Sequence, residues 1–234
     1  MRKMYLSAPL PFVGQKRMLA KEFMKVLEQY PDGTLFVDLF GGSGLLSHIT
    51  KSLKPHSTVI YNDFDNYRFR MKHIPQTNQL LADIREMVGN SVPRHKIIKG
   101  ELRERIFSRI EQEENSTGYV DFITLSSSIL FSMKYKLSVQ DMRKEALYNN
   151  IRKTGYPECT DYLEGLEIVS CDYKEVFNRY KDIPGVVFLV DPPYLSTDVG
   201  TYNMYWNMAD YLDVLNVLKG HSYYQIQLLL HKRK

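Results

Sequence analysis

The segment FVDLFGGSG, Phe36 to Gly44, restricts the fold of this chain more than any other. An apolar, partly β-branched run from Leu35 to Phe40 stops at Gly41-Gly42-Ser43-Gly44; a helical pattern follows from Leu45 to Leu53, and a second strand pattern from Thr58 to Asn62. Strand, glycine turn, helix and strand in that order make a right-handed βαβ crossover, which requires a parallel sheet. Glycines directly after a strand let backbone amides approach a ligand and lead into a helix amino terminus. A dinucleotide-binding turn reads GxGxxG, whereas this one reads GGSG with Asp38 at the strand end. A carboxylate there repels a pyrophosphate and favours a cationic amino group, so the expected ligand is an amino-acid-bearing nucleoside. The competing reading is a turn that merely lets strand and helix pack closely.

A second strand end carries chemistry of its own. Val186 to Val190 reads as a strand buried on both faces, and Pro192 and Pro193 end it by removing amide donors. Asp191 is thereby delivered to the carboxyl end of a strand, where open α/β sheets bind ligands. Taken alone, Asp-Pro is ordinary turn chemistry. Asp63, in YNDFD, ends the strand that begins at Thr58. It is placed either to accept from ribose hydroxyls or to cap a helix over Asn66 to Met71. In PFVGQKRML, Pro11 to Leu19, Gly14 permits a turn and Lys16 opens a helical pattern that runs to Tyr30.

From Asp65 to Gly165 the pattern changes to polar and basic helical segments, too long a block to sit inside a simple sheet. It reads as an inserted helical lobe, giving a domain made of residues 1–65 and 166–234 with an insertion over 66–165. Arg94, Lys96, Lys99, Arg103, Arg105 and Arg109 cluster there, as do Lys134, Lys136, Arg143, Lys144, Arg152 and Lys153, although glutamates interrupt or follow the first group. A solvated helical face and a polyanion-binding face are both consistent with that pattern. Strand material resumes at Leu166 to Ser170, with a helix over Tyr173 to Tyr180. After Tyr194 come a polar stretch, Ser196 to Asn203, a helix over Met208 to Leu218 and a strand over Tyr223 to Leu230.

Composition narrows the class. With 234 residues, 44% of them hydrophobic, the chain buries a full core, and its net charge of +4 permits a polyanionic partner without demanding one. No run approaches the roughly 18 apolar residues of a membrane span, and MRKMYLSAPLPF lacks the apolar core of a signal peptide. A cytoplasmic, non-membrane protein is expected. The 2 cysteines read as reduced thiols, and the 6 histidines have no ligand spacing, so no metal is expected.

The order PFVGQK, FVDLFGGSG, YND, long insertion, DPPY resembles the Dam-like adenine-specific DNA methyltransferases. By motif the resemblance covers about residues 9–65 and 166–200. It implies a Rossmann-like α/β sheet, S-adenosyl-L-methionine as cofactor and a helical target-recognition insertion that binds double-stranded DNA; the insertion matches only in position and length, and its basic clusters make Arg94, Lys96, Lys99, Lys134 and Lys136 the candidate contacts. Phe12 and Lys16 match the amino-terminal cofactor motif, and Asp38, Phe40, Gly41 and Gly42 match the cofactor loop. Asp63 matches the ribose acid, and Asp172 with Tyr173 falls where the family contacts the cofactor's adenine. Asp191, Pro192, Pro193 and Tyr194 match the catalytic tetrapeptide, with the target base flipped out of the duplex. The expectation is methyl transfer to adenine N6 by a monomer, in a restriction-modification, phage or housekeeping setting. The family's sheet closes with a reversed hairpin that this chain is expected to lack, through truncation or an early close of the sheet. Cytosine N4, RNA or a protein amide as target, or a weakly catalytic binding remnant, stay open at this stage.

Overall fold

The computed structural model describes residues 3–131, 134–192, 208–221 and 223–225. The Ser196 to Asn203 stretch, Pro193, Tyr194 and the expected strand beyond Gln225 lie outside the described residues.

Helix α1 (Ala20–Leu27) precedes strand β1 (Phe36–Asp38), helix α2 (Leu45–Leu53) and strand β2 (Val59–Asn62). The helical block follows: α3 (Tyr67–Lys72), α4 (Ile74–Val88), the short strand β3 (Ile97–Ile98), α5 (Gly100–Thr117), α6 (Phe122–Ile129), α7 (Val139–Arg143) and β4 (Leu147–Tyr148). The chain then returns through β5 (Glu167–Val169), α8 (Tyr173–Tyr180), β6 (Val187–Val190), α9 (Met208–Leu218) and β7 (Tyr223–Gln225). The helix expected from Lys16 to Tyr30 is shorter than its pattern: a 3-10 turn at Arg17–Leu19 leads into α1. Between β2 and β5 there is also a small antiparallel pair, β3 with β4, in a stretch with little strand signal.

Among the described residues the main sheet has 5 strands in the order β5-β2-β1-β6-β7, all parallel. Alternation along the strands divides the core into two layers. Phe36, Val59, Val187 and Leu189 face α1 and α2, meeting Phe23, Leu27, Leu46 and Ile49. Val37, Ile60, Phe188 and Val190 face α8 and α9, meeting Val176, Phe177, Val214 and Leu218. Each such side chain contributes about 1.5–3 kcal/mol by leaving water, which is why these strands read as continuous apolar runs. The helical segments build a third cluster around Leu81, Ile84, Ile106, Phe107, Leu125 and Met142, which also includes Leu10, Tyr67 and Tyr162. Helices on both faces of a parallel sheet make a mixed α/β, Rossmann-like fold, as the sequence implied. Among the described residues no helix is long and apolar enough to cross a membrane.

The topology places the site. From β1 the chain moves to β2 on one side, while β6 returns on the other, so a crevice opens beyond the carboxyl ends of these strands. Asp38, Asp63, Asp172 and Asp191 all stand at or just past such ends.

Candidate active site

A cavity of about 350 Å³ fills that crevice, lined by the Phe12 to Lys16 loop, the glycine turn, Phe64, Asp65, Asn66, Arg70, Asp172, Tyr173, Asp191 and Pro192, among others. Its floor is the glycine turn. The carbonyl of Gly41 accepts from the Gly44 amide at 2.7 Å, that of Gly42 from the Tyr61 hydroxyl at 2.7 Å, and that of Ser43 from the Tyr162 hydroxyl at 3.1 Å. With the carbonyls engaged by the protein, the N–H groups are what the turn offers a ligand. Close approach explains Gly41: a Cβ there would lie 2.3 Å from the Tyr61 ring and 2.8 Å from the Asn62 carbonyl oxygen. Gly42 has φ +49, and a Cβ on it would come within 2.9 Å of the Phe12 ring. Such a cradle fits a bulky polar ligand lying against bare backbone.

One wall is aromatic. The Phe40 and Tyr173 rings lie 4.9 Å apart at 32°, and the Tyr173 hydroxyl donates to Asp213 at 2.8 Å, which fixes the ring from α9. Asp172 caps α8, accepting from the Lys174 amide at 2.8 Å, yet stays exposed at the cavity edge.

The lining also holds an ion pair. Lys16 Nζ lies 2.6 Å from Asp191 Oδ2 and donates to the Gly14 carbonyl at 2.7 Å. Asp191 Oδ1 is buried and meets no donor among the described residues. Burial pushes the Asp191 carboxyl above its ordinary range, while the Lys16 ammonium opposes that and favours the charged form. One oxygen is thus held and the other awaits a donor.

Asp38 is wholly buried behind the turn rather than on the cavity wall, its Oδ2 accepting from Ser47 at 2.7 Å and its Oδ1 without a donor among the described residues. Burial pushes its carboxyl up to about 7, with the Ser47 hydroxyl acting against this and the charge of Asp191 adding to it. A carboxyl raised from 3.8 to about 7 binds a proton more tightly folded than unfolded, so it withdraws stability as pH rises through that window. Asp38→Asn is therefore expected to match the parent near pH 4 and to exceed it at pH 8, by on the order of 2–4 kcal/mol. Denaturant unfolding at the two pH values measures this; a pH-independent difference would mean the carboxyl is ionised throughout.

Asp63 sits elsewhere than expected for a cavity-wall acid. It is 3% exposed, and its oxygens accept from the Tyr67 amide at 2.6 Å, the Arg68 amide at 3.0 Å and the Tyr61 hydroxyl at 3.0 Å. The side chain thus caps α3, and Asp65 is the neighbouring acid that lines the cavity. Sequence reasoning also missed Asn62 and Arg70. Asn62 donates to the carbonyls of Leu39 and Cys171 at 3.0 and 2.9 Å and so ties the ends of β1, β2 and β5 together. Its only signal was its place beside Asp63.

The basic residues between 94 and 144 are largely spent within the fold. Lys134 and Lys136 both pair with Glu145, at 2.6 and 3.1 Å, and Arg94 donates to the Ile151 carbonyl. Arg109 binds Asp83 and Glu113, and Arg143 binds Glu104 and Glu111. Lys96 and Lys99 are exposed and make no ion pair among the described residues. Pro193 and Tyr194 lie outside the described residues. No cluster of metal-ligating side chains occurs among the described residues.

Comparison with known proteins gives this arrangement its context. Residues 12–231 match the family described as D12 class N6 adenine-specific DNA methyltransferase. A Haemophilus influenzae protein, provisionally named a methyltransferase, is 38% identical over 224 residues, covering 93% of this chain and 75% of its own length. A match across nearly the whole chain, including every element that forms the cavity, settles the relationship: the chain belongs to the D12 class N6 adenine-specific DNA methyltransferase family.

Proposed function

We propose that this protein transfers a methyl group from S-adenosyl-L-methionine to adenine N6 in double-stranded DNA, at a target base turned out of the duplex. The observation that carries the reading is Asp191: one oxygen anchored by Lys16, the other buried at the cavity and meeting no donor among the described residues. When bound, the cofactor supplies an electrophilic methyl group on a sulfonium. The glycine turn would hold it with Gly41 and Gly42, and the Phe40 and Tyr173 rings would flank its adenine beside Asp172. Phe12 closes over Gly42.

The exocyclic amine of adenine is a poor nucleophile because its lone pair is delocalised into the ring. Accepting a hydrogen bond from that amine at Asp191 Oδ1, with a second at the Pro192 carbonyl, draws the nitrogen towards tetrahedral geometry and localises the lone pair. With the amine so held by Asp191 and the Pro192 carbonyl, the bound cofactor would supply its methyl group to the nitrogen and leave as the neutral thioether, and the proton lost by the methylated amine would pass to solvent. Asp191 need only be ionised, which Lys16 favours. Holding donor and acceptor in line supplies much of the rate, and the motif resemblance assigns Pro193 and Tyr194 to the flipped base. Residues 66–165 serve as the target-recognition region of a catalytic domain built from 1–65 and 166–234, with Lys96 and Lys99 as the phosphate contacts least committed to the fold. Support for DNA as substrate comes from the family rather than from surface charge, since Lys134, Lys136 and Arg94 already have partners.

Incubation with methyl-labelled S-adenosyl-L-methionine and unmethylated duplex DNA, followed by digestion to nucleosides, tests the reading. Label in N6-methyladenine is the expected result. Label in cytosine, in an RNA control or nowhere, despite measurable cofactor binding, would overturn it.

A further inference from the structure

Arg70 is the unexplained charge of the site. It projects from α3 and is 6% exposed, yet it lines the cavity. Its Nε donates to both oxygens of Asp121 at 3.1 and 3.2 Å, and its Nη2 donates to the Pro11 carbonyl at 2.8 Å and to the Thr124 hydroxyl at 3.1 Å. Asp121 is itself fixed as the cap of α6, accepting from the Thr124 amide and hydroxyl. The remaining nitrogen, Nη1, is buried and has no acceptor among the described residues. A guanidinium so firmly held on two sides is pre-organised to present its third to whatever enters.

We infer that Arg70 Nη1 receives the α-carboxylate of the methyl donor's amino-acid end. This rests on the cofactor reading given above and names the residue that recognises one part of that molecule. The placement favours it: Arg70 stands over the Tyr67 ring, which meets Phe12 edge-on, and Phe12 covers Gly42. Arg70 is therefore connected to the amino-terminal loop and the glycine turn, while the Phe40 and Tyr173 rings provide a separate aromatic wall suited to a nucleobase. An amino-acid zwitterion needs a cation for its carboxylate. Lys16, the other cation on the wall, is already bound to Asp191. Guanidinium is the more weakly hydrated cation and tolerates burial, and a charge-assisted hydrogen bond to a carboxylate is about twice as strong as a neutral one. The depth of Nη1 also favours a bound small molecule over a DNA phosphate, which stays at the surface.

Calorimetric binding of S-adenosylhomocysteine and of its decarboxylated analogue decides the matter. The parent is expected to prefer the carboxylate-bearing ligand by about 10- to 100-fold. Arg70→Gln should bring that ratio close to one, weakening S-adenosylhomocysteine while leaving the analogue nearly unchanged. Arg70→Lys, which keeps a cation for Asp121, should also lose the preference. A parent that binds both ligands equally overturns the inference while leaving the cofactor reading intact, whereas a parent that binds neither overturns the cofactor reading itself. Equal weakening of both ligands in folded variants would assign Arg70 a purely structural role. Should neither variant fold, arginine-selective ¹⁵N labelling of the parent replaces them: a guanidinium resonance that shifts with S-adenosylhomocysteine but not with the analogue supports the inference, and its absence overturns it.

Discussion

Asp191→Ala is expected to slow methyl transfer by about 10³-fold while changing the affinity for S-adenosylhomocysteine by no more than a few-fold. The substitution removes a buried cavity carboxylate oxygen that meets no donor among the described residues, so the incoming amine keeps its lone pair in the ring. Cofactor affinity survives because the glycine turn and the Phe40–Tyr173 wall are untouched. The Lys16 ammonium retains the Gly14 carbonyl at 2.7 Å, which limits the cost of leaving its charge in a buried place. Asp191→Asn is a sharper version of the same experiment. It preserves volume and an acceptor oxygen but sets a neutral group against Lys16, and the rate should again fall by at least about 100-fold. Single-turnover rates beside calorimetric cofactor binding would check both. A variant within ten-fold of the parent would move the catalytic role away from this carboxylate.

The largest expected effect on stability belongs to Gly41→Ala. The added methyl would lie 2.3 Å from Tyr61 Cδ2 and Cε2. That ring cannot swing aside: Tyr61 is 0% exposed, and its hydroxyl is tied to the Gly42 carbonyl at 2.7 Å and to Asp63 at 3.0 Å. The Asn62 carbonyl, 2.8 Å away, belongs to β2 and is equally fixed. Overpacking of this kind costs about 3 kcal/mol, and for a chain of this size lowers Tm by roughly 6–12 °C. Because the turn must shift to relieve the clash, cofactor affinity should fall with it, by about ten-fold or more. Gly118→Ala is the control: its φ is +73 but nothing lies within 4 Å, so only backbone strain of about 1–2 kcal/mol is expected. Thermal melts of the two variants separate the effects, and equal losses would show that close approach at Gly41 is not what selects glycine.

Much of the scaffold was legible because it is written locally. The continuous apolar runs of β1 and β6, the glycine turn and the α8 pattern depend on neighbours a few residues away, and each formed within a residue or two of its expected bounds. The site was harder to read, since a side chain's role depends on which partner reaches it. Asp63 admitted two readings until the amides of Tyr67 and Arg68 were seen to occupy its oxygens. Lys134 and Lys136 looked like free surface charge until Glu145 was found between them. Arg70 carried no signal because its partner Asp121 is 51 residues away and neither belongs to a recognisable motif.

The sequence by itself determined that a parallel sheet forms, that a glycine turn follows its first strand and that carboxylates stand at the carboxyl ends of its strands, because strand propensity, proline and glycine act on their own backbone. Only the tertiary structure decided which of those carboxylates face the cavity. The β5-β2-β1-β6-β7 order sets Asp191 against Lys16, buries Asp38 behind the turn and turns Asp63 into a helix cap. Burial and the nearest opposite charge decide what a carboxylate can do, and both are properties of the packed chain.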